Sequence, residues 1–154
     1  MTKPLVVGIL FVAALARPSA GQAPQEFTKG VMHYTVDDTT HDLPLLPLAG
    51  SSTLTQLGKT SMLRLAFKGA PGSDNFAPNA RMVLRNLTGP GTFDMTAVMN
   101  LVVEIHFAKA WSPNRQEDNC VLKVVRLQPS GVSGILNCTS QGPKFREIKF
   151  EAEP

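Results

Sequence analysis

The sequence has few of the residues that carry charge, sulfur chemistry or aromatic stacking. Of its 154 residues, 18 % are charged and 6 % are aromatic, and there are two Cys, one Trp and one Tyr. This low charged fraction stands beside 43 % apolar residues, which is enough apolar surface to form a core, so a disordered polyelectrolyte is excluded. A chain of this length is typical of one domain.

Common enzyme motifs are also missing. The sequence contains no G-x-G-x-x-G, no Walker loop, no H-E-x-x-H, no C-x-x-C and no G-x-S-x-G. Their absence excludes the simplest dinucleotide, phosphate, zinc-protease, thiol-redox and serine-hydrolase signatures. We therefore expect no cofactor, and the motifs favour no particular reaction.

The N-terminus has the organisation of a secretory signal peptide. Lys3 supplies a positive charge, residues 5–16 form an unbroken apolar run, and small residues follow Arg17 and Pro18. That run is shorter than the roughly 20 residues that a membrane-spanning helix needs. A buried N-terminal helix is the alternative, but it would show an amphipathic stripe. The sequence predicts a signal peptide over residues 1–22, one domain over residues 23–154, and secretion to the periplasm or the medium.

Loss of this leader changes the charge of the chain. Lys3 and Arg17 leave with it, so the precursor's 15 basic and 12 acidic residues become 13 and 12, a net charge of about +1. A nearly neutral chain without a Lys/Arg cluster lacks the positive field that phosphate backbones require. We expect no nucleic-acid partner and no membrane span in the mature chain.

The mature chain consists of short β-rich runs separated by turn residues. Residues 61–68 place Leu63, Leu65 and Phe67 on one face, and residues 98–107 alternate in the same way. Residues 43–48 contain two prolines, which indicates an edge strand or an extended connection. The further runs are residues 31–36, 51–57, 81–87, 92–96, 120–128, 132–140 and 145–151. The pattern predicts an all-β fold, an antiparallel β-sandwich (Ig-like or jelly-roll-like) of about eight short strands.

The two cysteines fall in one predicted hairpin. With a turn centred on Pro129 and a loop of three or five residues, Cys120 would face Cys138, and Leu122 would face Leu136. In an exported chain this pairing predicts a disulfide at a non-hydrogen-bonded pair. Two buried free thiols are the alternative. A register slip of one residue would place the sulfurs on opposite faces.

This hairpin carries a resemblance to a protein family. The pattern comprises Cys120, Leu122, Val124, Gly131, Gly134 and Cys138, followed by a final strand. Over about 30 residues it resembles the closing hairpin of uncharacterised secreted bacterial β-sandwich proteins. It departs from them in a less aromatic strand after the second glycine and in the absence of a lipidated cysteine. The resemblance implies an exported sandwich and supplies no catalytic residues.

Metal-capable side chains are most dense between residues 33 and 42. His33, Asp37, Asp38 and His41 are the candidate ligands, because imidazole and carboxylate groups could hold Zn²⁺ or Mn²⁺, while Asp37, Asp38 and Asp42 alone could hold Ca²⁺. The spacing of the histidines matches no zinc signature, however. The simpler interpretation is a hairpin turn over residues 37–40 with His33 facing outward.

Other candidates are isolated. Glu104 and His106 could join a serine in a triad, because triads assemble in space, yet both fall on the polar face of their run. Trp111 could anchor a ligand or a partner, or fill one end of the sandwich core.

Three functions are compatible with the sequence. The first is an exported non-enzymatic protein that binds an unknown protein or small molecule or has a structural role at the cell surface. The second is a small exported hydrolase or metal-dependent enzyme that uses the His33, Asp37, Asp38 and His41 cluster. The third is a carrier that holds an apolar molecule inside a β-barrel.

Overall fold

A computed structural model shows two antiparallel β-sheets packed face to face, which confirms the predicted β-sandwich. The structure describes residues 22–36, 38–68, 80–95, 101–106, 112, 118–140 and 145–154. Within these ranges the chain forms no helix, and so none that could cross a membrane.

The described residues form eleven strands, more than the predicted eight or so. They are β1 (Gln25–Glu26), β2 (Lys29–Val36), β3 (Thr39–Pro44), β4 (Thr53–Leu57), β5 (Thr60–Phe67), β6 (Ala80–Leu87), β7 (Gly91–Asp94), β8 (Leu101–Ile105), β9 (Asp118–Gln128), β10 (Gly131–Ser140) and β11 (Phe145–Glu153). Sheet A has the order β1-β4-β5-β6-β8, and sheet B has the order β3-β2-β11-β10-β9-β7.

Alternation of side chains explains which residues enter the core. Leu63, Leu65 and Phe67 of β5 are all at most 1 % exposed, and they face Leu84, Met82 and Ala80 across the pairing with β6. Leu101, Val103 and Ile105 of β8 extend the same apolar face. The opposing face comes from sheet B, whose buried residues include Met32, Tyr34, Leu122, Leu136, Ile148 and Phe150. The longer strands thus contribute alternate side chains to one shared core.

The turn after β2 is shorter than the predicted turn over residues 37–40. Thr39 and Thr40 belong to strand β3 rather than to a turn, and Leu43 and Pro44 end that strand. Val36 pairs with Thr39, so the connection is a tight hairpin in which Asp38 has φ 61°. Pro44 is accepted because β3 lies at the edge of sheet B, where an N–H can be absent without a lost ladder bond.

The chain passes between the sheets at one closed corner. Beyond β3, the Leu45 N–H donates to the Gly30 carbonyl of sheet B (2.9 Å), and the Leu46 N–H donates to the Ala66 carbonyl of sheet A (2.8 Å). Leu45 also forms an isolated antiparallel bridge with Phe67. Backbone groups at the corner are therefore paired although they belong to neither regular ladder.

The cysteine hairpin forms with the predicted pairs. Cys120 lies opposite Cys138, Leu122 opposite Leu136, and Val124 opposite Gly134. The two sulfur atoms are 2.07 Å apart, and both cysteines are 1 % exposed. The Cys120 carbonyl accepts a bond from the Met95 N–H (2.9 Å) on its other side. Because both backbone groups of a residue point the same way in an antiparallel strand, the disulfide joins a non-hydrogen-bonded pair, as expected.

The loop of this hairpin is shorter than predicted. Gln128 pairs with Gly131, so only Pro129 and Ser130 lie between the strands. The register shifts by one residue beside Ser133 and Gly134, where β9 carries Val125 as an extra residue, 57 % exposed. This bulge absorbs the residue that a three-residue loop would have held. A count from the turn alone could not detect it.

We expect the double variant Cys120→Ala/Cys138→Ala to lose up to about 3 kcal/mol of unfolding free energy, because an 18-residue loop is no longer closed in the unfolded chain. Urea unfolding of the variant and of the oxidised wild type measures the difference. Wild-type protein under reductant is the control and should match the variant. An unchanged midpoint would show that the bond adds no stability.

Gly134 should not accept a side chain. A Cβ built at this position would lie 2.6 Å from Cζ of Phe150 and 2.8 Å from the Lys123 carbonyl oxygen. We expect Gly134→Ala to cost about 1–3 kcal/mol, since overpacking forces a buried ring from its place. The matched control is Ser133→Ala on the opposite face of the same strand, which should change the urea midpoint little. Equal midpoints for the two variants would contradict the close contact.

Candidate functional site

The two histidines of the predicted metal cluster lie on opposite faces of sheet B. His33 of β2 pairs with Asp42 of β3, whereas His41 pairs with Tyr34. Tyr34 is fully buried, so His41 is on the core side, with ring centroids 6.5 Å apart, and His33 is on the outer side. Since side chains alternate along each strand, a pairing that aligns His33 with Asp42 must separate it from His41.

The carboxylate that contacts His33 belongs to Asp42, which the sequence suggested only as a ligand for Ca²⁺. Asp42 Oδ1 lies 2.6 Å from His33 Nδ1, and the side chains are 66 % and 42 % exposed. Asp38 is exposed in the tight turn, and Asp37 lies outside the described residues. In the ranges given above, no group of three or more His, Cys, Asp and Glu side chains is arranged to hold a metal ion. The described members of the cluster form part of an ordinary cross-strand hairpin.

Glu104 and His106 both face outward, as predicted from the alternation of their strand. Glu104 Oε2 accepts from Arg81 Nε (2.9 Å) and from Arg81 Nη2 across the β6–β8 pairing. His106 is exposed just beyond β8. Glu104 is therefore engaged by a guanidinium rather than by His106. Trp111 lies outside the described residues and remains a prediction.

An arginine-lined groove occupies the outer face of sheet A. It encloses about 370 Å³. Its lining comes from β5, β6, β8 and the turn before β4, and comprises Ser51, Arg64, Leu65, Ala66, Arg81, Val83, Arg85 and Val102. We call this feature the arginine groove.

Strand register gathers the three guanidiniums around one valine. Arg64 of β5 pairs with Val83 of β6, and Arg81 and Arg85 flank Val83 on its own strand. Paired residues in a sheet have Cβ atoms about 5 Å apart, and residues two apart on a strand are separated by about 7 Å. The three side chains are all exposed. All three line the groove beside Val83.

The floor of the groove is apolar. Val83 pairs with Val102 of β8, and both are half-buried, while Ala66 is 6 % exposed although it faces outward. Arginine stems are long and apolar, so they cover such small residues while their charged ends stay in water. The groove therefore combines apolar contact area with fixed positive charge.

A bulge in β6 begins at Arg85, at the end of the groove. Ser61 pairs with Leu87 and Leu63 with Leu84, which leaves two residues of β6 opposite one residue of β5. Asn86 has φ 58°, a left-handed conformation that Asn tolerates better than most residues. The extra residue returns Leu87 to the core while Arg85 stays on the outer face. Bulges of this kind re-aim side chains at many functional sites.

The outer faces of the two sheets differ in charge. Sheet A presents Arg64, Lys68, Arg81 and Arg85 against Glu26 and Glu104. Sheet B presents Lys29, Lys123, Arg126 and Lys149 against Asp42, Asp94, Glu147, Glu151 and Glu153. On sheet B, Arg126 and Lys149 contact Glu153 and Glu147 at 2.9 and 2.8 Å. The described part of sheet A is the face that attracts anions.

A second cavity lies at one end of the sandwich, near the turn between β9 and β10. It encloses about 110 Å³ and is lined by Gln22, Ala23, Gln25, Leu54, Gln56, Ser61, Leu127 and Pro129. Ligand sites usually enclose about 300–1,000 Å³. The arginine groove falls within that range and the end cavity below it, so we take the groove as the candidate site.

The groove was not predicted from the sequence, although the outward position of one of its arginines was. The alternation of residues 61–68 correctly placed Arg64 on the outer face. The adjacency of β5, β6 and β8 could not be read from the sequence, because residues that pair across these strands are distant in the chain, as Ser61 and Leu87 or Arg81 and Glu104 are. Comparisons with known protein families, curated proteins and solved structures found no match to this chain.

We expect the protein to be indifferent to chelators, because the register directs His33 and His41 to opposite faces. The measurement is the thermal unfolding midpoint of purified protein before and after EDTA treatment, together with elemental analysis. Re-addition of Zn²⁺, Mn²⁺ or Ca²⁺ is the control and should restore nothing. A stoichiometric metal, or a midpoint that falls with EDTA and recovers with one ion, would contradict this expectation.

Proposed function

We propose that the protein is an exported, non-enzymatic β-sandwich that binds a small-molecule ligand on the outer face of sheet A. The observation that carries the proposal is the arginine groove, with its volume of about 370 Å³ and its three exposed guanidiniums above an apolar floor. Such a surface offers both orientation and contact area to a ligand.

The core disulfide supports export. Cys120 and Cys138 are bonded and buried between the sheets. Structural disulfides persist in oxidising compartments and are rare in reducing ones. The leader pattern of residues 1–22, with its charged start and short apolar run, agrees with the same destination.

Packing of the interior favours an external ligand over an internal one. The side chains of both sheets join in one apolar cluster, in which Phe27, Tyr34 and Phe67 are among the largest members, each at most 2 % exposed. Proteins that carry apolar molecules need an interior cavity between their strands. Here side chains from both sheets meet in that space, and the described cavity of ligand size opens outward.

The polar pairs favour binding over catalysis. Glu104 is held by Arg81, and Asp42 is held by His33, each across an antiparallel pairing. A hydrolytic site instead needs a base aligned with a nucleophile and with a group that stabilises the transition state. Engagement of these carboxylates in cross-strand pairs supports a role as a surface that recognises ligands.

Expression of the full chain with its own leader tests export. We expect the protein in the periplasm or the medium, with the leader removed and a mass short of two hydrogen atoms relative to the dithiol. Val7→Glu is the control, since a charge in the apolar run should block export. A full-length, reduced protein that stays in the cytosol would contradict the proposal.

A fragment screen by amide NMR tests the binding surface. We expect fragments that bind to shift the amides of Arg64, Val83 and Val102 more than those of sheet B, because these residues line the groove. Val83→Trp fills the groove and should abolish the shifts. Shifts that cluster on another surface, or that survive in Val83→Trp, would contradict the assignment of the groove.

A further inference from the structure

We infer that the arginine groove recognises a ligand with an oxyanion group, either carboxylate, sulfate or phosphate, attached to an apolar body. This inference rests on the proposed function and specifies the class of its ligand. The oxyanion would be bound by the guanidiniums of Arg64 and its neighbours on β6, and the apolar body would lie on Val83 and Val102.

The geometry of the guanidinium group favours an oxyanion as the ligand. Arginine presents parallel N–H donors that match two oxygens of one carboxylate, sulfate or phosphate, and it stays charged at any physiological pH. Arg64, Arg81 and Arg85 surround Val83, and Glu104 contacts this group through Arg81. Arg64 adds a positive charge beside that pair, at an exposed position on the neighbouring strand.

Glu104 shows the same interaction within the protein. One carboxylate oxygen of Glu104 accepts from both Nε and Nη2 of Arg81 on the groove rim. The Arg81 side chain is 56 % exposed and that of Glu104 is 31 % exposed. A ligand oxyanion would approach the neighbouring guanidiniums as Glu104 approaches Arg81. Glu104 therefore acts as an internal competitor for the ligand.

The apolar floor restricts the ligand further. Val83 and Val102 lie side by side beneath the guanidiniums, and Ala66 continues the floor toward Ser51. A bare inorganic anion would leave this area in contact with water, whereas a ring or a short chain beside the oxyanion would cover it. The ligand class is thus an amphiphilic anion of small size.

Titrations with four aromatic probes on purified protein with its disulfide intact test the inference. The probes are benzoate, phenyl sulfate, phenyl phosphate and neutral benzyl alcohol, each followed by amide shifts at Arg64, Val83 and Val102. We expect at least one anionic probe to bind more tightly than benzyl alcohol, and its affinity to fall with added salt, because ions screen exposed charges. The ranking of the three anions identifies the oxyanion that the site prefers.

Two charge variants should change the affinity for the anion in opposite directions. Arg64→Gln should weaken binding of the preferred anion about tenfold, as expected for loss of one bidentate charge-assisted contact. Glu104→Gln should tighten binding, because it removes the competing negative charge. Lys123→Gln, which removes one positive charge from the exposed face of sheet B, is the matched control and should leave the affinity unchanged.

The outcomes separate the ligand class from the proposed function. Equal binding of benzyl alcohol and the anions in the groove, with no effect of Arg64→Gln, would overturn the oxyanion and leave the binding surface standing. Equal weakening by Arg64→Gln and Lys123→Gln would show attraction to net charge alone and would also overturn the inference. Failure of export would contradict the proposed function without changing any of these affinities.

Discussion

The two-residue period of the strands, with one apolar face buried between two sheets, is the constraint on which this structure depends. Leu63, Leu65 and Phe67 enter the core only if Arg64 faces outward, and the same holds for Leu101, Val103 and Ile105 with Glu104. A slip of one residue would exchange the two sets and bury charge. Burial of the apolar side chains therefore also determines which side chains lie on the outer faces of the sheets.

The same constraint separates some candidate residues and gathers others. His33 and His41 are close in sequence, yet their hairpin register directs them to opposite faces of sheet B. Arg64 and Arg81 are distant in sequence, yet pairing of β5 with β6 brings them to one groove. Closeness in sequence suggested that the two histidines would meet and gave no sign that the two arginines would. Neighbours across strands depend on the pairing register rather than on the distance along the chain.

Two covalent or steric features fix that register in sheet B. The Cys120–Cys138 bond can form only if the hairpin aligns these residues, and the close contact of Gly134 with Phe150 requires a residue without a side chain. The bulge at Val125 then restores the alternation between the disulfide and the tight turn. Between Cys120 and Leu127, the core side of β9 and the facing residues of β10 are apolar.

The sequence by itself determined the class of fold, the strand faces and the pairs of the cysteine hairpin, since each depends on local alternation and on short loops that one segment contains. It did not determine the extra strand β3, the bulges beside Val125 and Asn86, or the loop length at Pro129, because a local pattern tolerates one residue more or less. Only the tertiary structure decided that β5, β6 and β8 are neighbours and that their arginines share a groove. The physical reason is that sheet order follows from packing the whole apolar surface at once, which no single strand encodes.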